Sequence, residues 1–261
     1  MYNALVLAGS KGKSVLEISN KVENKALIII NNRPIIDYVI EALNEAKKIG
    51  KIVVVGPKAK LYSYISTKVE QILEEKDSLL QNLEIGMNFI KDSFIKSGDS
   101  FIKSEEKVLI ITSDIPLITS QAIDDFIEKC LEKEADIYYP IMRKENILEK
   151  YPKTKRTYVK TKDGELCGGN MFLISPKLFY HKKELIKKAY ESRKNVTKLA
   201  KVLGLKLILK FLFKTITVAD IEKKVSEVLG YKGVAVVTPF PEMMIDLDKP
   251  SDLELIQKCL S

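Results

Sequence analysis

The sequence Ala-Leu-Val-Leu-Ala-Gly-Ser-Lys-Gly-Lys-Ser, residues 4–14, is a short apolar run that leads into a loop of small and basic residues. Similar apolar runs at 26–30, 51–55, 108–112, 136–140, 171–174 and 234–237 indicate strands. Between the runs, residues 35–48, 62–74, 81–91, 120–133 and 251–260 space their apolar side chains as amphipathic helices do. This alternation predicts an α/β fold with a mostly parallel sheet covered by helices.

Residues 176–230 depart from the alternation, because their pattern is almost wholly helical and rich in lysine. We therefore expect a main domain formed by residues 1–175 and 231–261, with a helical insertion at 176–230. Within the insertion, residues 198–214 are amphipathic, and Lys206, Lys210 and Lys214 share one face. Two interpretations remain open for this segment. It makes a peripheral contact with an anionic membrane, or its apolar side is buried against residues 221–229 or against a second subunit in a homodimer.

Composition excludes several classes of protein. The 261 residues include 43 Lys and Arg against 35 Asp and Glu, a net charge of +8. This diffuse excess favours anionic ligands, and no nucleic-acid-binding motif accompanies it. The single histidine, His181, excludes mechanisms that need two. The three cysteines are too far apart for a zinc site or a disulfide framework and favour a cytoplasmic location: Cys130, Cys167 and Cys259. No apolar stretch approaches the roughly 18–20 residues of a transmembrane helix.

The loop after the first strand has the composition of a phosphate-binding loop. Gly9 and Gly12 let the backbone approach phosphate oxygens closely, and Lys11 or Lys13 supplies positive charge. The loop does not fit the P-loop pattern, because Leu7 stands where that pattern needs glycine, and the spacing of its glycines excludes G-x-G-x-x-G. Taken alone, the segment is also compatible with a basic turn after a strand.

Carboxylates follow predicted strands at two distant points of the chain. Asp114 ends the run Val-Leu-Ile-Ile-Thr-Ser-Asp, and Asp246 and Asp248 follow Met-Ile near the C-terminus. Each segment alone could be a polar turn or a helix N-cap. A shared cation explains both segments together, so we expect Asp114, Asp248 and Asp246 to bind Mg²⁺. Asp252, just before the last helix, is expected to be a structural cap.

Five short motifs together resemble the MobA-like nucleotidyltransferases. They are Leu7-Ala8-Gly9-Ser10-x-Gly12, Lys25-Ala26-Leu27, Arg33-Pro34, Ser113-Asp114-x-Pro116-Leu117 and Asp246-x-Asp248-x-Pro250-x-Asp252. The resemblance implies a Rossmann-like three-layer sandwich of the glycosyltransferase-A type. It also implies an enzyme that transfers a nucleotide from an NTP to a phosphorylated small-molecule acceptor with release of pyrophosphate.

The same resemblance assigns roles to individual residues. Lys25 and Asp114 would be catalytic, and Gly168, Gly169 and Asn170 would lie against the acceptor. The nucleotide would contact Leu7, Ala8, Gly9, Ser10, Gly12, Lys13, Lys25, Asn82 and Ser113. Asn82 is included among the nucleotide contacts because of its position, since residues 77–82 are expected near the base or ribose. The chain departs from the family pattern at Ser14, where the family has an arginine, and at Asn24, where it has a proline.

Two alternatives remain open from the sequence. A glycosyltransferase that uses a nucleotide sugar could be built on a similar sheet. A non-catalytic nucleotide-binding regulatory protein is favoured by the absent arginine at Ser14, because lysine replaces a bidentate phosphate contact only partly. Neither the base of the nucleotide nor the identity of the acceptor can be predicted from the sequence.

Overall fold

The structure is a computed structural model that describes residues 1–9, 23–96, 106–192 and 204–261. Within these ranges, nine strands form one sheet and two short strands form a separate hairpin. The strands are β1 Tyr2–Leu7, β2 Ile29–Ile30, β3 Arg33–Pro34, β4 Ile49–Gly56, β5 Gln71–Glu74, β6 Val108–Thr112, β7 Ile137–Arg143, β8 Val159–Thr161, β9 Gly164–Gly168, β10 Met171–Ile174 and β11 Gly233–Val237.

The order of strands in the large sheet is β5-β4-β1-β6-β10-β7-β9-β8, and β11 also pairs with β7. Strands β5, β4, β1 and β6 are mutually parallel, as are β7 and β11. Only β9 and β10 among these nine strands run in the opposite direction. The predicted mostly parallel mixed sheet is therefore confirmed, and the carboxyl ends of β1, β4 and β6 share one edge.

Helices cover both faces of the sheet. They are α1 Ile35–Glu45, α2 Lys58–Ile65, α3 Leu79–Lys96, α4 Ser120–Leu131, α5 Lys144–Lys150, α6 Pro176–Ser192, α7 Leu205–Leu212, α8 Val218–Leu229 and α9 Pro250–Leu260. Helices α1, α2, α4 and α9 contribute to one apolar core, and α3 and the first turn of α6 contribute to the other. The result is the predicted three-layer sandwich.

Strand β1 shows why the sheet needs helices on both sides. Its side chains alternate between the two cores, with Ala4 and Val6 in one core and Leu5 and Leu7 in the other. All four side chains are buried. Since successive strand residues face opposite sides, a continuous apolar run is stable only when both faces are covered.

Two predictions of local structure were wrong. Residues 26–30 do not form a strand of the large sheet, because Lys25–Leu27 is a 3₁₀ turn and only Ile29–Ile30 pairs, with β3. Residues 62–74 do not form one helix, because α2 ends at Ile65 and Gln71–Glu74 pairs in parallel with β4. In both places tertiary contacts outweigh the local periodicity.

The region predicted as an insertion is helical where the structure describes it, since α6, α7 and α8 all lie within it. Leu178 and Phe179 of α6 nevertheless pack in the same core as Leu5 and Leu7 of β1. The division of the chain at residues 176 and 230 therefore stays a prediction. In the described ranges, no helix combines the length and the apolarity needed to cross a bilayer.

Candidate active site at the carboxyl edge of the sheet

Asp114 lies at the turn that follows β6, and two backbone hydrogen bonds fix this turn. The N–H of Ser113 donates to the carbonyl oxygen of Leu7 at 3.2 Å, which ties the turn to the end of β1. The carbonyl oxygen of Asp114 accepts from the N–H of Leu247 at 2.9 Å. The end of β6 is therefore attached both to the predicted nucleotide loop and to the C-terminal acidic segment.

The acidic segment alternates between the core and the site. Ile245 and Leu247 are fully buried, whereas Asp246 and Asp248 face the other way. One oxygen from each of Asp114, Asp246 and Asp248 lies within 4.8 Å of the other two. The structure thus brings together the three carboxylates that the sequence predicted as metal ligands.

Lys25 lies against these carboxylates. Its ammonium group forms an ion pair with Asp248 and lies 3.6 Å from Oδ2 of Asp114. The lysine side chain is only 8% exposed. Burial alone would lower the pKa of Lys25, but the carboxylates of Asp114 and Asp248 outweigh it and raise the pKa. The group therefore stays an ammonium ion and neutralises part of the acidic cluster.

Asn24 explains how Lys25 is held in this position. Its Nδ2 donates to the carbonyl oxygen of Ala8 at 2.8 Å, and its Oδ1 accepts from the N–H of Ala26 at 2.8 Å. The side chain is buried, so both hydrogen bonds are shielded from water. Asn24 thus fastens the turn of Lys25 to the end of β1, a role that its departure from the family pattern did not reveal.

Arg156, in the loop before β8, belongs to the same cluster and was missed by the sequence analysis. Its two terminal nitrogens contact Asp246 at 2.7 Å and Asp252 at 3.1 Å. The guanidinium is 6% exposed. Asp252 also accepts from the backbone N–H groups of Asp248 and Lys249, which confirms its prediction as a cap of α9.

Asp246 and Asp248 differ in their affinity for protons. Burial, together with the charges of Asp114 and Asp248, raises the pKa of Asp246 to about 7. Arg156 opposes this shift without cancelling it. Burial would also raise the pKa of Asp248, but its hydrogen bond from Lys25 outweighs burial and lowers the pKa. Asp246 therefore holds a proton more tightly than Asp248 does.

The donor set fits a hard divalent cation. Three carboxylates converge, and Oδ1 of Asp114 is buried without a hydrogen-bond partner among the described residues. An unpaired buried carboxylate oxygen costs free energy, and a cation bound there would satisfy it. Oxygen ligands of this type suit Mg²⁺.

The nucleotide side of the site is described in part. Leu7 ends β1, Ala8 donates to the carbonyl oxygen of Val55 at 2.8 Å, and Gly9 lies against Asn82. A Cβ at Gly9 would lie 2.2 Å from Nδ2 of Asn82, so a larger residue fits there only if the Asn82 side chain moves. Asn82 is buried and accepts from the N–H of Lys76 at 2.6 Å. Ser10, Gly12 and Lys13 lie outside the described residues.

A polar cleft of about 270 Å³ connects the carboxylates with the predicted acceptor segment. Gly168 and Asn170 line it together with Asp246 and Asp248. Three basic side chains also line it, namely Lys155, Arg156 and Lys249. Gly169 is instead packed against the sheet, where a Cβ would lie 2.9 Å from Cγ of Pro140. Two of the three predicted acceptor residues thus share a cleft with the acidic cluster.

These features define an α/β protein with an acidic, lysine-containing site at the carboxyl ends of its parallel strands. Residues 4–203 match the model of the MobA-like NTP transferase domain family. The chain therefore belongs to this family of nucleotidyltransferases.

Individual relatives agree with this assignment. The chain is 28% identical over 141 residues to a ribitol-5-phosphate cytidylyltransferase of Lacticaseibacillus paracasei. The matched stretch covers 51% of this chain and 54% of that protein. The chain thus spans about half the length of this curated relative. A hypothetical transferase from Thermus thermophilus is 31% identical with a TM-score of 0.82, covering 97% of this chain and 99% of the other.

A more distant neighbour shares the fold alone. It is the 4-diphosphocytidyl-2C-methyl-D-erythritol synthase from Anaerococcus prevotii, at 12% identity and a TM-score of 0.57, covering 100% of this chain and 96% of the other.

Proposed function

We propose that this protein is a Mg²⁺-dependent nucleotidyltransferase that transfers an NMP group from an NTP to a phosphorylated small molecule and releases pyrophosphate. The observation that carries the proposal is the contact of buried Lys25 with Asp114 and Asp248, which belong to two distant acidic motifs. A buried ammonium ion beside three converging carboxylates is an arrangement suited to polyphosphate chemistry, in which charge must be balanced at the reacting phosphorus.

The reaction needs no protein nucleophile. An oxygen of the acceptor phosphate forms a bond to the α-phosphorus, and the bond from the α-phosphorus to the oxygen that bridges it to the β-phosphorus breaks. Pyrophosphate leaves with the electron pair. A phosphate monoester is already largely deprotonated near neutral pH, so no general base is required. The lack of a second histidine is therefore compatible with the mechanism.

The residues of the chain supply position and charge. Lys25 stabilises negative charge that develops on the phosphate oxygens, and Asn24 holds it in place. Asp114, Asp246 and Asp248 would hold the cation, which would supply positive charge to the phosphate oxygens. Arg156 orients Asp246 through its contact at 2.7 Å. Gly9 and Asn82 bind the nucleotide, as do Ser10, Gly12 and Lys13 of the loop.

CTP is the nucleotide that we propose first, because the named function of the Lacticaseibacillus relative is cytidylyl transfer. The acceptor phosphate is proposed to enter the polar cleft. Lys155 and Lys249 line that cleft beside Gly168 and Asn170, so a phosphate group would find positive charge and an amide there.

The test is pyrophosphate release from each of the four NTPs with Mg²⁺, against a panel of sugar, polyol and alkyl phosphates. Release that requires one NTP and one acceptor, and that Asp114→Asn abolishes, is the expected result. Consumption of a nucleotide sugar with no use of NTP would instead indicate a glycosyltransferase. NTP binding with no release from any acceptor would favour a regulatory protein.

A further inference from the structure

A second cavity, of about 390 Å³, lies between α8 and the edge of the sheet that contains β7, β9 and β11. Its walls are mainly aliphatic, with Ile137 and Ile141 from β7 facing Ile221 and Val225 from α8. A cavity of this size is within the range that small ligands occupy, roughly 300–1,000 Å³.

Two polar side chains in the walls already form hydrogen bonds. The hydroxyl of Thr161 donates to the carbonyl oxygen of Gly164 at 2.9 Å, and Oε1 of Glu222 accepts from the N–H of Ala235 at 2.7 Å. Burial raises the pKa of the Cys167 thiol to about 11, so this thiol is uncharged near neutral pH. The cavity therefore has the chemistry to bind a hydrocarbon group.

Helix α8 spans the cavity without filling it. The helix is amphipathic, yet none of its residues is buried. Hydrogen bonds hold both ends of the helix. At its start, the N–H of Val218 donates to Asp163 at 2.7 Å, and near its end, Oγ of Ser226 accepts from the N–H of Gly233 at 3.0 Å. These contacts fix the helix over the strands, with Ile221 and Val225 on the side that lines the cavity.

The apolar cavity adjoins the polar acceptor cleft. Tyr139, Cys167 and Gly168 line both. The hydroxyl end of Tyr139 lies against Gly168, where a Cβ would be 2.3 Å from the phenol oxygen. One molecule could therefore place a phosphate group beside Lys155 and Lys249 and extend an apolar chain past Tyr139 into the cavity.

An exposed apolar surface lies next to the helix that covers the cavity. It consists of Leu209, Phe211, Leu212 and Phe213, each more than 40% exposed. Lys210 links this segment to α8 through an ion pair with Asp220 at 2.6 Å. Such a surface favours contact with lipid or detergent-like molecules. It supports an amphiphilic ligand over a small water-soluble one.

We propose that the acceptor is an amphiphilic phosphate, a long-chain alkyl or prenyl phosphate, whose hydrocarbon chain occupies the cavity under α8. The assignment as acceptor rests on the proposed nucleotidyl transfer. The binding site itself is independent of turnover and can be tested without it.

The test is calorimetric binding of butyl, octyl and dodecyl phosphate, below their micellar concentrations, to the full-length protein. The wild-type affinity is expected to rise about two- to fourfold for each buried methylene until the cavity is full. Ile221→Trp fills the cavity and should weaken the dependence of affinity on chain length. We expect the affinity for dodecyl phosphate to fall at least about tenfold and the affinity for butyl phosphate to change little. Leu131→Trp is the matched control, because Leu131 at the end of α4 is 59% exposed and lies outside the cavity.

A second variant keeps the test independent of the folding of the first. Ile141→Ala enlarges the cavity and should move the optimum to longer chains. The proposal is overturned if the affinity does not depend on chain length. It is also overturned if the affinity depends on chain length equally in the wild type, Ile221→Trp and Ile141→Ala. The protein could instead prove to be a dimer that Ile221→Trp dissociates, with a ligand affinity that does not depend on chain length. That result would overturn the proposal and assign the cavity to contact with a second copy of the chain.

Pyrophosphate release is measured in the same samples. If chain-length-dependent binding persists but no NTP supports release, nucleotidyl transfer and the assignment as acceptor both fall, while the apolar binding site stands. If release occurs with a short polar phosphate and alkyl phosphates neither bind nor react, the proposed function stands and the amphiphilic acceptor is overturned.

Discussion

The carbonyl oxygen of Asp114 accepts a 2.9 Å hydrogen bond from the backbone N–H of Leu247, so the two acidic motifs of the chain are joined through their backbones. Leu247 is fully buried, and its neighbours Asp246 and Asp248 face the side on which Asp114 lies. The geometry of the three carboxylates therefore depends on backbone and core contacts. Substitution of one carboxylate should leave the positions of the other two unchanged.

Asp114→Asn should abolish catalysis while the protein stays folded. The substitution removes a ligand charge but keeps the backbone bond to Leu247, so we expect nucleotidyl transfer to fall at least about a hundredfold. Initial rates of pyrophosphate release at saturating Mg²⁺ measure this effect. Asp125→Asn on α4, where the carboxylate pairs with the neighbouring Lys129 at 2.9 Å, is the matched control and should keep wild-type activity.

The affinity for divalent cations should rise with pH. Burial raises the pKa of Asp246 to about 7, so below that pH a cation must displace a proton before Asp246 can bind it. We expect Mn²⁺ affinity to rise up to about tenfold per pH unit below pH 7 and to level off above it. Titrations followed by electron paramagnetic resonance between pH 5.5 and 8.5 measure this. If Mn²⁺ affinity rose with pH as steeply in Asp246→Asn as in the wild type, another group would be responsible for the pH dependence.

Lys25→Met should destabilise the metal-free protein, since it removes the ammonium that lies between Asp114 and Asp248. We expect the free energy of unfolding to fall by about 1–3 kcal/mol, less than for a fully buried pair because Asp248 is half exposed. Urea denaturation with and without Mg²⁺ measures this. The cation should recover part of the loss in stability and none of the activity. If Mg²⁺ had no effect on the stability of either protein, the cluster would not be a metal site.

Arg156 is expected to act as a positioning residue. Its contacts at 2.7 Å with Asp246 and at 3.1 Å with Asp252 are made by two different nitrogens, a geometry that lysine cannot reproduce. Arg156→Met and Arg156→Lys should both weaken Mn²⁺ binding about tenfold and raise the pH at which binding levels off. A loss of stability in Arg156→Met without this shift in the pH profile would indicate a purely structural role.

Gly9→Ala should force Asn82 out of its place, because the new Cβ would lie 2.2 Å from Nδ2 of Asn82. We expect a loss of about 1–3 kcal/mol in the free energy of unfolding. Asn82→Ala removes much of the clash, so the double variant should be more stable than the sum of the two single effects predicts. Additive effects in this double-mutant cycle would contradict the contact.

The buried strands were the most predictable part of the fold. The bounds of β6 and β10 agree with the apolar runs at 108–112 and 171–174, because strands buried on both faces are apolar throughout. Residues 62–74 misled the prediction, since β5 is defined by its pairing with β4 and its short run also fits a helical period. The local sequence contains no signal for that pairing.

The site residues that stand in sequence motifs could be predicted, whereas those whose roles depend on contacts with distant residues could not. Asp114, Asp246 and Asp248 stand in recognisable motifs, and the structure brings them together. Arg156 contacts partners 90 and 96 positions away, so nothing near it in the sequence indicates its role. Asn24 was visible only as a departure from a pattern, and its function depends on the carbonyl oxygen of Ala8.

The most direct test of the central claim is to follow the label from α-³²P- and γ-³²P-labelled CTP, in parallel, with the acceptor that supports pyrophosphate release. Nucleotidyl transfer predicts that the α-label appears in the organic product and the γ-label in pyrophosphate. It also predicts that Asp114→Asn forms neither product. A γ-label in the organic product, or full transfer by Asp114→Asn, would contradict the assignment of this acidic site to nucleotidyl transfer.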